Sequence, residues 1–512
     1  MASQHLRIMT CAALGAICLM PRLDMATASE PGRGAGQKKW VVNSDDLIQK
    51  ALTNNLDILI SRIQPQQDQF SLNGLYSAYE PAIGVSATHN YNESPGGLFA
   101  EIGYEFQPIT QRINNYQLGL GGAGGGNVLT PWGTSYSITG PVSQQNQTGY
   151  PQIYTASPQV SLSQPLLKNA WIDNTRLQIA VSKKQLKIDQ LALRLQIMTV
   201  VNNVKAAYYT LISDRENVKV EESAVQLAEE TTREQLEKMR VGALAPFDEK
   251  QAESQAATAR SALLTAQATQ AAQENVLKNL VGVALGQWED FSPVPSEQLV
   301  AVPENPHLLE CFRIGLEKRP DILQARLKIE QQHVTVKYRF NQLFPELDLT
   351  GTYGRGATSA TFDQALGSIR EGTYPNYSYG LALTVPLGNT GPRNSYKSDK
   401  AQLELLLLQA KKTERTIVQN IDTDIKKIQS DYLSVDSTRK ARQYAEEALS
   451  AEQTKLEHGK STSFNVLQLQ NSLTSARLQE IQALATYNID LETLAFDDGT
   501  TLEWNHIDLR VR

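Results

Sequence analysis

Residues 47–92 read LIQKALTNNLDILISR…YEPAIGVSATHNYN, and residues 311–355 read CFRIGLEKRPDILQAR…LFPELDLTGTYGR. The two stretches carry one pattern. Asn55-Leu56-Asp57-Ile58-Leu59 aligns with Arg319-Pro320-Asp321-Ile322-Leu323, and Pro81 with Pro345. The match resumes downstream. Gln164-Pro165-Leu166 aligns with Val385-Pro386-Leu387, and Val241-Gly242…Phe247-Asp248 aligns with His458-Gly459…Phe464-Asn465. Self-similarity of this length is the signature of one structural unit built twice. Each unit reads helix, strand, strand, very long helix, turn, helix. The chain divides accordingly into a first unit at 29–284, a linker at 285–305, a second unit at 306–497 and a closing segment at 498–512.

The very long helices follow from composition. Between Tyr150 and Gly242 there is no glycine, and between Pro165 and Pro246 no proline. The stretch is rich in Leu, Gln, Lys, Ala and Glu, all good helix formers. Its apolar positions step by four and three through Leu193, Ile197, Val200, Val204, Ala207 and Leu211, with Val218 and Val225 holding the register beyond. That is coiled-coil spacing. The second copy repeats it through Ile417, Ile421, Ile425, Ile428, Tyr432 and Val435. About 70 helical residues make a rod of about 100 Å, which needs partner helices to cover its stripe. The partners are predicted at 247–281 and 464–496 and at 45–79 and 306–343, with a kink or break in the first of the latter pair, which Pro65 and Gly74 interrupt.

Four segments alternate as strands do. Ile83, Val85 and Ala87 share one face, as do Val160 and Leu162, Leu347, Leu349 and Tyr353, and Tyr377, Tyr379, Leu381, Leu383 and Val385. The intervening residues are small or polar. A soluble sandwich and a membrane barrel both alternate in this way. The N-terminus favours the barrel: His5 and Arg7, an apolar run from Ile8 to Met20 and Ala26-Thr27-Ala28 read as a secretory signal over 1–28, although a buried N-terminal helix fits the same residues. Cleavage there would remove Cys11 and Cys18 and leave Cys311 alone, so no intrachain disulfide is expected, and neither early cysteine follows a convincing lipid-attachment motif. No later stretch is apolar enough for a membrane helix, so a membrane-resident form must be a closed barrel. Pro81 and Pro345 enter the strands and Pro165 and Pro386 leave them, marking where helix hands over to sheet. Four strands cannot close a pore; three chains would supply 12.

The duplicated unit, the four border prolines and the two turns together resemble the TolC family of outer-membrane efflux proteins, over about residues 43–500. The resemblance implies an α+β membrane protein: a homotrimer whose 12-stranded β-barrel, four strands per chain, sits in outer-membrane lipid and continues as a long α-helical coiled-coil barrel across the periplasm. It implies an exit duct whose turns, Val241-Gly242-Ala243 and His458-Gly459-Lys460, meet a periplasmic adaptor protein of an inner-membrane pump in a tripartite efflux or type I secretion system. Family members often carry two aspartates ringing the periplasmic aperture. Here the matching positions are Asn465 and Gln468, with Asp248 and Gln251 in the first unit. Amides do not gather cations as crowded carboxylates do, so weak divalent-cation block is expected. Asn465 also suits a helix N-cap.

Residues 93–157 depart from the family as a long loop bearing Gly119, Gly121, Gly122, Gly124, Gly125 and Gly126 and strand-like pieces at Tyr116–Leu120 and Tyr136–Ile138. No Lys-Ser/Thr follows those glycines, which argues against phosphate binding. An enlarged extracellular hairpin is the expected reading; joined to the barrel, its pieces would raise the strand count above the family's. The net charge of −6 offers no nucleic-acid partner. The six histidines are scattered, and no cofactor, metal site or catalytic constellation is expected. Asp45-Asp46 and Asp497-Asp498 read as helix-end charges. Arg233, Lys238 and Arg240 read as a cationic helix terminus or an adaptor contact. A secreted coiled-coil scaffold without a pore is the alternative function, and charges on the apolar strand faces would discriminate it.

Overall fold

The computed structural model describes residues 38–94, 108–121, 126–240 and 246–507. The expected signal segment at 1–28 and the turn residues Val241, Gly242 and Ala243 lie outside them. The first half of the chain runs β1 (Lys38–Val42), α1 (Ser44–Asn54), α2 (Leu56–Leu75), β2 (Ala82–Ser94), β3 (Ile109–Gly121), β4 (Val128–Leu129), β5 (Ser135–Gln147), β6 (Ile153–Ala156), β7 (Gln159–Pro165), α3 (Asn174–Arg240) and α4 (Pro246–Val281). The second runs β8 (Phe291–Pro295), α5 (Leu308–Lys318), α6 (Pro320–Asn341), β9 (Glu346–Arg355), β10 (Ala357–Ser359), α7 (Phe362–Glu371), β11 (Pro375–Thr384), α8 (Thr390–Glu457), α9 (Ser463–Asp497) and α10 (Thr501–Trp504).

The rods α3 and α8 have 67 and 68 residues, about 100 Å each. Helix α4 packs along α3 and α9 along α8, while α6 lies against both rods and α9 also meets α3. The stripe from Leu193 to Leu211 is buried throughout and joins Leu47, Ile48, Ile58 and Leu277 in one core. Its counterpart, Ile417 to Ile428 with Val435, joins Ile322, Tyr487 and Leu494 in a second. Tyr432 departs from the expected stripe: it is 37% exposed, its ring 6.0 Å from that of Tyr487.

The expected interruption is corrected at Pro65 and met near Gly74, where the α-helix ends at Leu75 and a 3-10 turn follows over Tyr76–Tyr79. Helix α2 continues through Pro65. A further break falls at Asn55, extended at φ −64°, ψ 125°, and recurs at Arg319 with φ −62°, ψ 128°. Chemistry differs at the two sites. The Asn55 carboxamide oxygen accepts from the backbone N–H groups of Asp57 and Ile58 at 2.9 and 3.2 Å, capping α2. Arg319 precedes Pro320, whose ring disfavours helical geometry before it while suiting the first turn after it.

The large sheet is antiparallel, in the order β2-β3-β5-β7-β9-β11, with β6 continuing β7 along β5 and β10 beyond β6. This corrects the expectation of four strands per chain: six long strands stand side by side. It also corrects the reading of 93–157 as an outer hairpin. Strand β3 returns the full height of β2, bringing Gly121 opposite Ala82. Two features hid these strands. The apolar alternation of β3 lasts only from Tyr116 to Leu120, and Pro141 interrupts β5. Pro141 sits opposite the β6–β7 break, where its carbonyl accepts from the Ser157 N–H at 3.0 Å and no ladder partner requires the N–H it lacks.

Ile421 is fully buried between α5, α8 and the end of α9. Ile421→Ala is expected to destabilise the protein by about 2–5 kcal/mol and Ile421→Val by about 0.5–1.5 kcal/mol, read as ordered losses of melting temperature by circular dichroism.

Candidate functional site

Three regions carry the features a duct would use: the helical tips, the charged middle and the sheet. At the second tip, α8 ends with Gly459 in the left-handed region at φ +70°. The Gly459 N–H donates to the Leu456 carbonyl and the Lys460 N–H to the Lys455 carbonyl, at 3.0 and 2.8 Å. These bonds satisfy carbonyls the helix leaves open, in the Schellman manner, and glycine adopts that conformation without a Cβ penalty. His458 and Lys460 are exposed.

The N-cap of α9 is Thr462, whose hydroxyl accepts from the Asn465 N–H. This corrects the alternative of Asn465 as the cap. Its side chain is exposed and donates to the Ser461 hydroxyl at 3.4 Å. Gln468 is exposed one turn on, while Val466 and Leu467 between them are buried. The Ser461 hydroxyl donates to Glu452 and, with Lys455, holds that carboxyl below its ordinary pKa. In the first unit Asp248 stands in the first turn of α4, and Gln251 is half-buried. One turn beyond Gln251 and Gln468, the Gln255 side-chain amide donates to the Asn471 side-chain Oδ1 at 2.5 Å, joining α4 to α9. Higher up, each hairpin is clasped by ions: Arg260 to Glu229 at 2.7 Å, and Arg477 to Glu446 at 2.8 Å. Arg442 pairs with both Glu446 and Glu480. Asn465, Gln468 and Gln251 are amides and Asp248 is the one acidic residue of the four, while the ion pairs lie across each hairpin.

The middle holds buried charge, of which the sequence singled out only Asp497 and Asp498, as helix-end residues. Lys205 of α3 reaches Glu492 of α9 at 3.6 Å and donates to the Ser44 hydroxyl at 3.2 Å, tying the two halves together. Arg319 donates to Asp497 at 2.6 Å and pairs with Asp321 at 2.9 Å. Burial opposes its charge, and the two carboxylates outweigh that and keep it protonated. Carboxyls then stack in pairs between α8 and α9. Burial first, and Asp497 second, push the Asp424 pKa up to about 7; burial and Asp431 push Asp490 up to about 6. Burial and Asp68 likewise push Asp189 up to about 6. The available signal was the seven-residue spacing of Asp424 with Asp431 and Asp490 with Asp497, which sets each pair on one helix face.

The four border prolines lie at the foot of the sheet: Pro81 and Pro345 immediately before β2 and β9, Pro165 at the end of β7, and Pro386 two residues past β11. Above them Tyr377, Tyr379, Leu381 and Leu383 are 62–84% exposed along one face of β11. No helix among the described residues is long and apolar enough to cross a membrane.

Paired rods of about 100 Å carrying an apolar-faced sheet define a TolC-like channel fold. The chain belongs to the outer membrane efflux protein family, whose profile matches residues 133–283 and 314–500. It is similar to the outer membrane efflux protein BepC of Brucella suis biovar 1 (strain 1330), at 23% identity over 311 residues, covering 60% of this chain and 65% of that protein's length. Among solved structures it is similar to the Campylobacter jejuni CmeC outer membrane channel, with TM-score 0.67, 17% identity and coverage of 92% of this chain and 91% of that one. The open state of the Neisseria gonorrhoeae MtrE outer membrane channel superposes with TM-score 0.62 at 15% identity, covering 94% and 97%.

The Asp424 pKa, raised in the folded state, makes stability depend on pH. The shared proton's contribution is complete below about pH 4 and is lost as pH rises through about 7. Melting temperature should therefore fall across that window, and Asp424→Asn should flatten the decline.

Proposed function

We propose that three copies of this chain form a passive exit duct in the outer membrane. Small molecules or proteins would pass through it from a periplasmic adaptor protein and inner-membrane pump, in a tripartite efflux or type I secretion system. The observation that carries this reading is the exposed apolar face of the sheet. A soluble monomer rarely shows a contiguous apolar surface of this size, and the residues opposite it are mostly hydroxyls, amides and glycines, with the carboxylates Glu346 and Asp348 at the foot of β9, as a wet lumen requires. Two units built on one plan, at 29–284 and 306–497, would give each copy two tips. The turns at 241–243 and 458–460 are where the adaptor docks in this reading, with Asn465, Gln468, Asp248 and Gln251 lining the aperture above them. The chain supplies the conduit, performs no catalysis of its own and binds no cofactor; energy and cargo selection belong to the pump.

Charge on the lipid face separates the duct from a scaffold without a pore. Leu381→Arg is expected to destabilise the barrel by about 2–4 kcal/mol and to deplete the protein from outer-membrane fractions. Wild-type-like behaviour of that variant would favour the scaffold. The aperture is tested by single-channel recording in planar bilayers. Divalent cations should block the wild-type channel weakly, and Asn465→Asp with Gln468→Asp should introduce block. Strong block of the wild type that persists in Asp248→Asn contradicts the neutral aperture.

A further inference from the structure

Strands β3 and β5 are absent from the expected four-strand plan, yet they carry the same lipid-facing pattern in the same register. One row of directly paired residues crosses the whole sheet: Ile83, Leu120, Ile138, Val160, Tyr353 and Tyr377. All six are apolar or aromatic. The row through Val85 and Leu118 and the row through Leu162 and Tyr136 extend the same face. Exposure agrees: Val85, Leu118, Ile138 and Leu162 stand open to the surroundings, as Leu381 does. The opposite face of the added strands presents Asn115 and Gln117 from β3 and Ser137, Thr139 and Ser143 from β5, beside Ser161 of β7 and Thr352 of β9. The apolar outward band runs through Tyr116, Leu118 and Leu120 of β3 and Tyr136, Ile138 and Val142 of β5; above it Asn114 and Gln144, then Arg112 and Asn146, turn that face polar, and Ile113 is the apolar exception on the inward face.

The geometry is that of a barrel segment. Ile83 lies one residue above the foot of β2, and Tyr377 lies seven above the foot of β11, a stagger of six residues over five strand-to-strand steps. At about 3.3 Å per residue and about 4.8 Å per step, the strands tilt by about 40°, within the range membrane barrels use. The lower end of the added pair is anchored at the helix handover. Gly133, at φ +94°, sits against Arg176, where a Cβ would come within 2.6 Å of the guanidinium. Arg176 donates to the Asn169 carbonyl at 2.6 Å and to Asp173 at 2.8 Å. Exposed Trp132 and Trp171 flank this junction, residues that suit a membrane interface. The two edges also fit each other. Strand β2 rises from the foot and β11 descends to it, so β11 of one copy meets β2 of the next antiparallel, and both edge strands are exposed along nearly their whole length.

Resting on the trimer of the proposed duct, we propose that β3 and β5 are two further staves, so that three copies close an 18-stranded barrel. Diameter grows roughly in proportion to strand number, and barrels of this size hold an open aqueous channel. The outlet is then about one and a half times as wide as a 12-stranded one, above a helical tube built from the usual set of rods. The size limit on cargo moves from the outer-membrane mouth to the helical section. The added lumen surface is uncharged, so it widens the passage for hydrophilic solutes of either sign.

Cryo-electron microscopy of the detergent-extracted, full-length protein counts the staves directly. Eighteen strands around a threefold axis are expected. Twelve, with β3 and β5 folded outside or into the lumen, would overturn the proposal while leaving the duct intact; the absence of a threefold tube would sink the duct itself. Cysteine labelling in whole cells with a membrane-impermeant maleimide gives a second reading. Gln117→Cys should label and Leu118→Cys should be protected; equal labelling of the two contradicts a lipid-facing β3.

Discussion

A helix of about 100 Å presents more apolar stripe than any single neighbour of ordinary length can cover, and this constraint organises the molecule. Each rod is covered in two stretches. Near its tip α3 is covered by α4 and α8 by α9; towards the sheet α2 and α6 take over. The exchange demands a place where the covering helix stops and another starts. Asn55 and Arg319 provide it, with nearly the same backbone dihedrals reached through an N-cap in one half and a proline in the other. Backbone geometry is shared where side-chain chemistry is not, as expected if the break itself is what the architecture needs.

The middle of the rods must also join the two halves, and it does so with buried charge. Lys205 with Glu492 crosses between the halves, and Arg319 with Asp497 ties α6 to α9 within the second; both are paired where water is scarce, so removal of one partner would strand the other. Burial first, and a neighbouring carboxyl second, raise the Asp424 and Asp490 pKa values, because two buried carboxylates side by side cannot both ionise without penalty. At the tips the balance is different. Charges there pair across exposed surface, where each bridge contributes little, and Asn465, Gln468 and Gln251 are amides.

The parts that are legible in the sequence are those fixed by local periodicity. The 193–211 stripe, its counterpart from Ile417, the bounds of α4 and α9 and the faces of β7, β9 and β11 follow from spacing of three, four or two. What was missed depends on partners distant in sequence. Strand β5 is a strand because β3 and β7 flank it, with Pro141 tolerated only where the β6–β7 break faces it. The acidic pairs arise from two helices meeting, which heptad spacing permits but does not require. The break at Asn55 was locally visible, since asparagine before Leu-Asp and arginine before proline are both helix-start signals, but Pro65 and Gly74 are louder breakers. At the candidate site the residues of the tips and the border prolines were all named from sequence, whereas the clasping ions and the Thr462 cap were not.

In the proposed duct, the open sheet with its two exposed edges and apolar face is completed by other copies that close it. Counting chains in the detergent-solubilised particle, by light scattering corrected for bound detergent, tests this most directly. Three chains per particle, insoluble once detergent is withdrawn, is the result the account requires. A monomer that stays soluble without detergent would contradict it.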